Sequence, residues 1–153
     1  MSLVTKLHKK NNKNSNINKE RDEMPIVKQL TILLENNPGA LSNVCSDLAG
    51  KDINILAMSV LDTIDSGLIR MVVDDHEHAV KKLADSGLNV IETEVLSLEM
   101  SHKPGTLAEI TRQLSKAKIN IEYAYVSVPP GEGTSIGIFW VSNLKKASEI
   151  LEP

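Results

Sequence analysis

Two Pro-Gly pairs in this sequence are placed where the protein backbone could bind a small anion. Pro38-Gly39 and Pro104-Gly105 each follow an alternating apolar run and precede an apolar pattern of helical spacing. Glycine has no Cβ, so the chain can bend sharply and a ligand can approach the backbone closely. The first amides of a helix have no intrahelical acceptor and attract negative charge. Both turns are therefore candidate sites for a carboxylate group.

Polar side chains accompany both turns at matching positions. Asn36 opens the first turn and His102 opens the second, where either could hydrogen-bond an ammonium or carboxylate group. Asn54 and Asn120 each come 18 positions later, at the start of another apolar run. The equal spacing favours a binding role. The alternative role for these two asparagines is to cap or turn the backbone after the helix.

The turns belong to a repeat in which residues 30–60 and 96–126 align without a gap. Matched residues lie 66 positions apart, and the best preserved are the Pro-Gly-x-Leu turn and an Ile-Asn-Ile strand opening. This indicates two small-molecule pockets built in the same way. The identical pairs are Leu30/Leu96, Pro38/Pro104, Gly39/Gly105, Leu41/Leu107, Leu48/Leu114, Ile53/Ile119, Asn54/Asn120, Ile55/Ile121 and Val60/Val126.

Hydrophobic periodicity predicts the same order of elements in both copies: strand, helix, strand, strand, helix. A fourth strand is predicted for the first copy only. The class is therefore α+β. In the first copy we predict strands at 26–34, 53–61, 68–73 and 89–95, and helices after Gly39 and Asp75. In the second copy we predict strands at 96–100, 119–125 and 135–141, and helices after Gly105 and Asn143.

Two features distinguish the copies. Residues 89–101 contain no Gly or Pro, so the last strand of copy one runs into the first strand of copy two. Thirteen residues would span about 43 Å, too long for one flat strand of a small sheet, and we predict a bend or bulge near Glu94 and Val95. The repeat also ends early, so we expect the second module to lack its last strand, with either another strand covering that sheet edge or the chain truncated.

These turns and strands resemble those of the ACT domain family, the small βαββαβ modules that bind amino acids. The resemblance covers about residues 26–153 and rests on strand, Asn-x-Pro-Gly-x-Leu, helix, then Ile-Asn-Ile. It implies two ferredoxin-like modules, each an antiparallel sheet with its helices on one face. The tandem arrangement is similar to free-standing proteins made only of two such modules.

The resemblance also implies where a ligand would lie. In that family ligands occupy module interfaces, touched by the Pro-Gly loop of one module and the second-strand start of its neighbour. His102 stands where the family motif has asparagine. The implied ligand-binding residues are Asn36, Pro38, Gly39, Ala40, Leu41 and Asn54 in the first copy, and His102, Pro104, Gly105, Thr106, Leu107 and Asn120 in the second.

Composition weighs against several other functions. Residues 24–153 carry 11 basic and 17 acidic side chains, which argues against binding the phosphate backbone of a nucleic acid. No apolar run is long enough to cross a membrane. Tyr123, Tyr125, Phe139 and Trp140 are expected to pack in a core or interface, because no matching aromatics occur in copy one. The single cysteine fits a reducing, cytoplasmic location.

Catalytic machinery is not evident in the sequence. There is no nucleophile–base pair and no set of metal-ligand spacing, so we expect no enzyme activity, metal or cofactor. His76 and His78 lie two apart on a predicted helix, where their side chains diverge, and we expect a solvated face. An enzyme of the same topology remains an alternative that observed turnover would establish.

The sequence as a whole predicts an amino-acid-binding regulatory protein. We expect a disordered basic leader at 1–23, a first ACT-like module at 24–95 and a second, C-terminally short one at 96–153. Modules this small bury little surface, so the pair should share an interface or form a homodimer. The expected partners are a free amino acid and a regulated enzyme of amino-acid metabolism. The alternative is a structural or interaction module whose pockets are vestigial.

Overall fold

The computed structural model describes residues 26–62, 66–128 and 133–151. The expected leader lies outside these residues. None of the helices in the described part is long and apolar enough to cross a membrane. The first half contains β1 (Ile26–Glu35), α1 (Ala40–Ala49), β2 (Ile55–Asp62), β3 (Ser66–Val73) and α2 (His76–Asp85). Then follow β4 (Val90–Ser101), α3 (Thr106–Lys116), β5 (Ile121–Ser127), β6 (Thr134–Val141) and α4 (Leu144–Leu151).

The strands form one six-stranded antiparallel sheet in the order β2-β3-β1-β4-β6-β5. The predicted α+β class and the two ferredoxin-like modules are confirmed. Both modules use β4, because β1 pairs with its first half and β6 with its second half. Leu96 lies at the crossover and pairs with both Ile26 and Phe139.

The long strand β4 differs from our expectation. Its register with β1 is regular through Glu94 and Val95, so of the predicted bend or bulge the bulge is wrong and the bend stays a prediction. β4 can be this long because β1 pairs with its first half along one edge, and β6 pairs with its second half along the other edge. Register shifts occur instead near the starts of β2 and β5, between Ile55 and Ala57 and between Ile121 and Tyr123.

The helices cover one face of the sheet in each module. In the first module Leu30 and Ile32 of β1 pack with Val44 and Leu48 of α1, and all four are almost completely buried. In the second module a separate cluster joins Leu96, Leu98, Leu114, Phe139 and Ala147. Ile26 of β1 also packs against this second cluster. Alternate side chains of β1 and β4 therefore pack against the helices.

The helix-free face of the sheet folds onto itself. The two edge strands β2 and β5, at opposite ends of the strand order, lie next to each other. A third buried cluster fills the space between the modules, with Ala57 and Val72 from one side, Ile138 from the other and Val95 from β4. The sheet is thus strongly curled, and the modules face each other through their helix-free surfaces.

One edge of β4 has no strand beside it in the described residues. After Leu96, β4 pairs with β6 on one edge, while on the other edge the described part of β1 reaches only to Ile26, which pairs with Leu96. In the first module the corresponding position beside β1 is occupied by β4 itself. Within residues 26–62, 66–128 and 133–151, the second module therefore has three strands, and its fourth position is open.

Candidate functional site

The two Pro-Gly turns have the same backbone conformation. Gly39 has φ 94° and ψ −15°, and Gly105 has φ 94° and ψ −17°, each directly before its helix. These angles fall in the left-handed region, which a residue with a Cβ adopts only at a cost. The space around each glycine is open, with nothing within 4 Å of a Cβ added there. The glycine requirement thus comes from the backbone angle and not from crowding.

The turns leave helix-start amides exposed to solvent. The first intrahelical bonds are made by Asn43 N–H to Gly39 O at 2.9 Å and by Glu109 N–H to Gly105 O at 2.9 Å. Neither helix start has a capping side chain. The second and third helical amides of each helix therefore have no intrahelical acceptor. They can donate to a carboxylate placed over the turn.

The side chains around these amides are exposed in both modules. Asn36 and Pro38 flank the first turn, and His102 and Pro104 flank the second. The backbone N–H of His102 donates to Gly133 O at 2.8 Å, which ties the second turn to the start of β6. Leu41 is 37% exposed and Leu107 is 46% exposed. Each turn therefore combines bare amides with an accessible apolar side chain.

Asn54 and Asn120 hold the starts of β2 and β5. Asn54 N–H donates to Asp74 Oδ1 at 2.9 Å, and Asp74 N–H donates back to Asn54 O at 3.1 Å. Asn120 repeats this pairing with Ser142, at 3.0 Å for both bonds. The Asn120 side chain donates to Glu122 Oε1 at 3.0 Å. These paired bonds use the main-chain groups of the two asparagines, and a ligand-binding role for their side chains stays a prediction.

The asparagines and the turns are not joined in the described residues. No hydrogen bond there connects Asn54 or Asn120 to either Pro-Gly turn. The equal spacing noted in the sequence is explained by the repeated helix-to-strand connection. Asp52 (φ 61°) and Lys118 (φ 58°) adopt the same left-handed conformation within that connection.

Comparison with known proteins identifies the family of the chain. Residues 24–152 match the family model for the ACT domain pair. The chain belongs to this family. No curated protein sequence matches it. The chain is therefore an ACT protein with two tandem modules.

Solved structures share its architecture. The crystal structure of protein BT0572 from Bacteroides thetaiotaomicron is 33% identical, with a TM-score of 0.78 over 84% of this chain and 88% of that one. The ligand-free regulatory subunit of aspartate kinase from Thermus thermophilus is 13% identical, with a TM-score of 0.60 over 84% and 95%. The same subunit from Thermus flavus is 15% identical, with a TM-score of 0.55 over 83% and 94%. The last two show a shared fold.

A cavity of about 300 Å³ lies in the second ACT module, along the open edge of β4. Leu98 and Met100 of β4 line it together with Ile110 of α3 and Ile150 of α4. Thr106, the first residue of α3, also lines it. Thr106 is thus the one predicted ligand-binding residue among those lining this cavity. The other predicted residues lie on exposed turns and strand starts.

The structure contains a polar cluster that the sequence analysis did not predict. We call Gln29, Arg70, Tyr123, Tyr125 and Trp140 the inter-module network. Gln29 is completely buried and its amide contacts both tyrosine hydroxyls, which lie on a strand of the other ACT module. Burial raises the pKa of the Tyr125 phenol, the nearby Tyr123 raises it further, and Arg70 opposes this. Phe139 is buried in the second core and Tyr125 packs against the cluster between the modules, as expected, whereas Trp140 stays 39% exposed beside the Tyr123 ring.

Proposed function

We propose that this protein senses a free amino acid, which binds at the Pro-Gly turns of its ACT modules. The observation that carries the proposal is the repeated turn itself. Two glycines 66 positions apart share the same left-handed conformation and precede helix-start amides that have no capping side chain. A helix N-terminus favours a carboxylate by about 0.3–1 kcal/mol, and by more where the site is partly buried.

The ligand site includes side chains beside each turn. Leu41 and Leu107 supply apolar surface next to the amides, and Asn36 and His102 supply polar groups. The difference between asparagine and histidine gives the two turns different preferences for the ligand's polar ends. Family resemblance adds that the site is completed by the start of the second strand of a neighbouring module.

Binding regulates a partner and no reaction is proposed. The solved relatives from Thermus are described as regulatory subunits of aspartate kinase. By analogy, the target of this protein is an enzyme of amino-acid metabolism, and a homodimer provides the neighbouring module. Ligand that binds one assembly more tightly than another shifts the population toward that assembly.

A thermal-shift screen against the standard amino acids tests the proposal. A ligand present at roughly 100 times its Kd should add about 2.7 kcal/mol to the free energy of unfolding. This raises the melting temperature of a chain of this size by several degrees. No shift with any amino acid would contradict the sensor proposal and favour the alternative below.

Gly39→Val tests whether the first turn is the site. A β-branched side chain at φ 94° should displace the turn amides, so the variant should lose the melting-temperature shift that depends on this turn. Gly87→Val is the matched control, because Gly87 also has positive φ (82°) and open space but lies after α2. An equal loss of the shift in both variants would remove the turn from the site.

The alternative function is a structural or interaction module with vestigial pockets. The observation that favours it is that Asn54 and Asn120 hydrogen-bond within their own modules, to Asp74 and Ser142. Under this alternative, Gly39→Val and Gly105→Val change stability only. Binding of any amino acid that both variants abolish would exclude it.

A further inference from the structure

The inter-module network joins strands that are not neighbours in the sheet. Gln29 of β1 donates from Nε2 to Tyr123 Oη at 2.7 Å, and Tyr125 Oη donates to Gln29 Oε1 at 2.9 Å. Tyr123 and Tyr125 lie on β5, at the far end of the strand order. Both ends of the Gln29 amide are thus hydrogen-bonded to hydroxyls of the other module. Gln29 therefore fixes β5 of the second ACT module against β1 of the first.

The Tyr123 ring extends this contact to two further strands. The guanidinium carbon of Arg70, on β3, lies 3.8 Å from the ring centroid. The Trp140 ring, on β6, lies 5.2 Å away at an interplanar angle of 37°. Cation–π and tilted aromatic contacts both depend on ring position. A shift of β1 relative to β5 therefore changes the surroundings of Trp140.

The repeat shows that this contact is specific to unlike modules. The residues at the equivalent positions of the other copy cannot rebuild the network: Val95 corresponds to Gln29, Ala57 to Tyr123, Ser59 to Tyr125, Ile138 to Arg70 and Val72 to Trp140. The first module thus offers an amide, a guanidinium and small side chains, and the second offers aromatic rings. Two identical modules facing each other would leave Gln29 without a phenol partner. The contact therefore favours this one arrangement of the two unlike modules.

Close packing connects the first Pro-Gly turn to Gln29. Helix α1 starts at this turn, and its Val44 and Leu48 pack against Leu30 and Ile32 of β1. All of these side chains are at most 1% exposed, so a displacement of α1 is transmitted to β1. Gln29 is the neighbour of Leu30 on the opposite face of the strand. It contacts Tyr123, three residues after Asn120.

We propose that Gln29 is the positioning residue that couples the first Pro-Gly turn to the second ACT module. This inference rests on the proposed function for the identity of the perturbing ligand. Occupation of the turn at Gly39 shifts α1 and β1, and Gln29 passes the shift to Tyr123 and β5. The chain contains one tryptophan, so Trp140 reports the event directly.

The test compares binding with the Trp140 response. Wild type, Gln29→Leu and Thr31→Val are titrated with the standard amino acid that gives the largest melting-temperature shift, and Trp140 fluorescence is recorded. Thr31→Val is the control, because Thr31 Oγ1 accepts from Gln29 Nε2 at 3.2 Å but lies on β1 itself. We expect wild type and Thr31→Val to show a fluorescence change that Gln29→Leu loses while still binding.

Tyr125→Phe provides a second route if Gln29→Leu does not fold. It removes the hydroxyl that donates to Gln29 and leaves the ring in place, so it should also lose the Trp140 response. A response kept in both Gln29→Leu and Tyr125→Phe would overturn the coupling proposal. So would binding to wild type with no response. Neither result would affect the sensor proposal, which the thermal-shift screen tests.

A ligand-free arm applies if no amino acid shifts the melting temperature. In that case Gly39→Val replaces the ligand as the perturbation. Acrylamide quenching of Trp140 is compared before and after this substitution, once in wild type and once in Gln29→Leu. Gly87→Val is the control substitution. Coupling predicts that Gly39→Val changes the quenching only when Gln29 is present. Equal changes in both backgrounds would overturn the coupling proposal independently of the failed sensor proposal.

Discussion

At the residue scale, Gly39 and Gly105 are the positions where side-chain identity is set by backbone geometry. Both have φ 94°, and a Cβ would meet no atom within 4 Å at either. Their requirement for glycine could be anticipated from the Pro-Gly pairs, because tight turns at helix starts commonly need this residue. The roles of Asn54 and Asn120 could not be anticipated, because equal spacing in the sequence is compatible both with a ligand contact and with the backbone pairing observed.

Gly39→Ala and Gly105→Ala should each lower the free energy of unfolding by about 1–2 kcal/mol, because left-handed backbone is unfavourable for alanine. The loss should be similar at the two positions, since their angles match. Urea denaturation of each variant measures it. Unchanged stability in both would show that the turns relax easily and are not held in this conformation.

A pH dependence follows from Asp75, which caps α2. Its Oδ1 accepts from His78 N–H at 3.2 Å. This backbone hydrogen bond, together with that from the His78 side chain, holds the pKa of the Asp75 carboxyl below its ordinary value of 3.8. A lowered pKa stabilises the folded state above 3.8, and this contribution is lost as pH falls through the folded-state pKa.

Asp75→Ala should therefore be less stable than wild type near neutral pH, and the difference should shrink once the pH falls below 3.8. Stability measured in urea across this range checks the expectation. A difference that stays constant down to acidic pH would mean that the cap does not depend on the carboxylate charge.

At the element scale, β6 is packed too closely to accept a side chain at Gly137. An added Cβ would lie 2.6 Å from Phe139 Cε2 and 2.8 Å from Met100 Cε. Gly137→Ala should therefore lower the free energy of unfolding by about 1–3 kcal/mol, as overpacking commonly does.

Gly67→Ala is the control for this prediction. Gly67 also lies in a strand, and its added Cβ would approach Leu34 O only to 3.9 Å, an ordinary contact. Chemical denaturation of both variants distinguishes them. Equal stability would indicate that Phe139 and Met100 move aside without cost.

The elements themselves were predictable, because local periodicity and turn residues define them. The error at β4 arose from treating each module as a separate flat sheet, in which thirteen extended residues would not fit. In the structure β1 and β6 use different halves of one strand on opposite edges, and the register stays regular through Val95. Which strands share an edge depends on distant pairing, which local patterns do not contain.

At the scale of the whole molecule, the shared strand makes the two ACT modules one unit. Leu96 is completely buried and pairs with strands of both modules. Leu96→Ala should lower the free energy of unfolding by about 2–5 kcal/mol, as expected for a large-to-small change in a core.

The modules should also unfold together in a single transition. Far-ultraviolet circular dichroism reports both modules, and Trp140 fluorescence reports the second. Coincident denaturation curves are expected for wild type and for Leu96→Ala. A dichroism change that continues after the fluorescence change is complete would show that the first module unfolds independently.

The inter-module network illustrates what sequence patterns leave out. Gln29 lies between Lys28 and Leu30 in a strand and looks like an ordinary solvent-facing residue. It is buried because the sheet curls and brings Tyr123 and Tyr125, 94 and 96 positions away, against it. Such contacts form between strands that are not paired, so neither the repeat nor the alternation pattern indicates them.

The central claim is that the Pro-Gly turns bind an amino acid through bare helix-start amides. The most direct measurement is a ¹H–¹⁵N spectrum of the assigned protein recorded with each standard amino acid. We predict that the largest shifts occur at Leu41 and Ser42, and at Leu107 and Ala108 where the second turn is used. Binding that leaves these four amides unmoved while shifting other residues, such as those lining the cavity beside β4, would contradict the account.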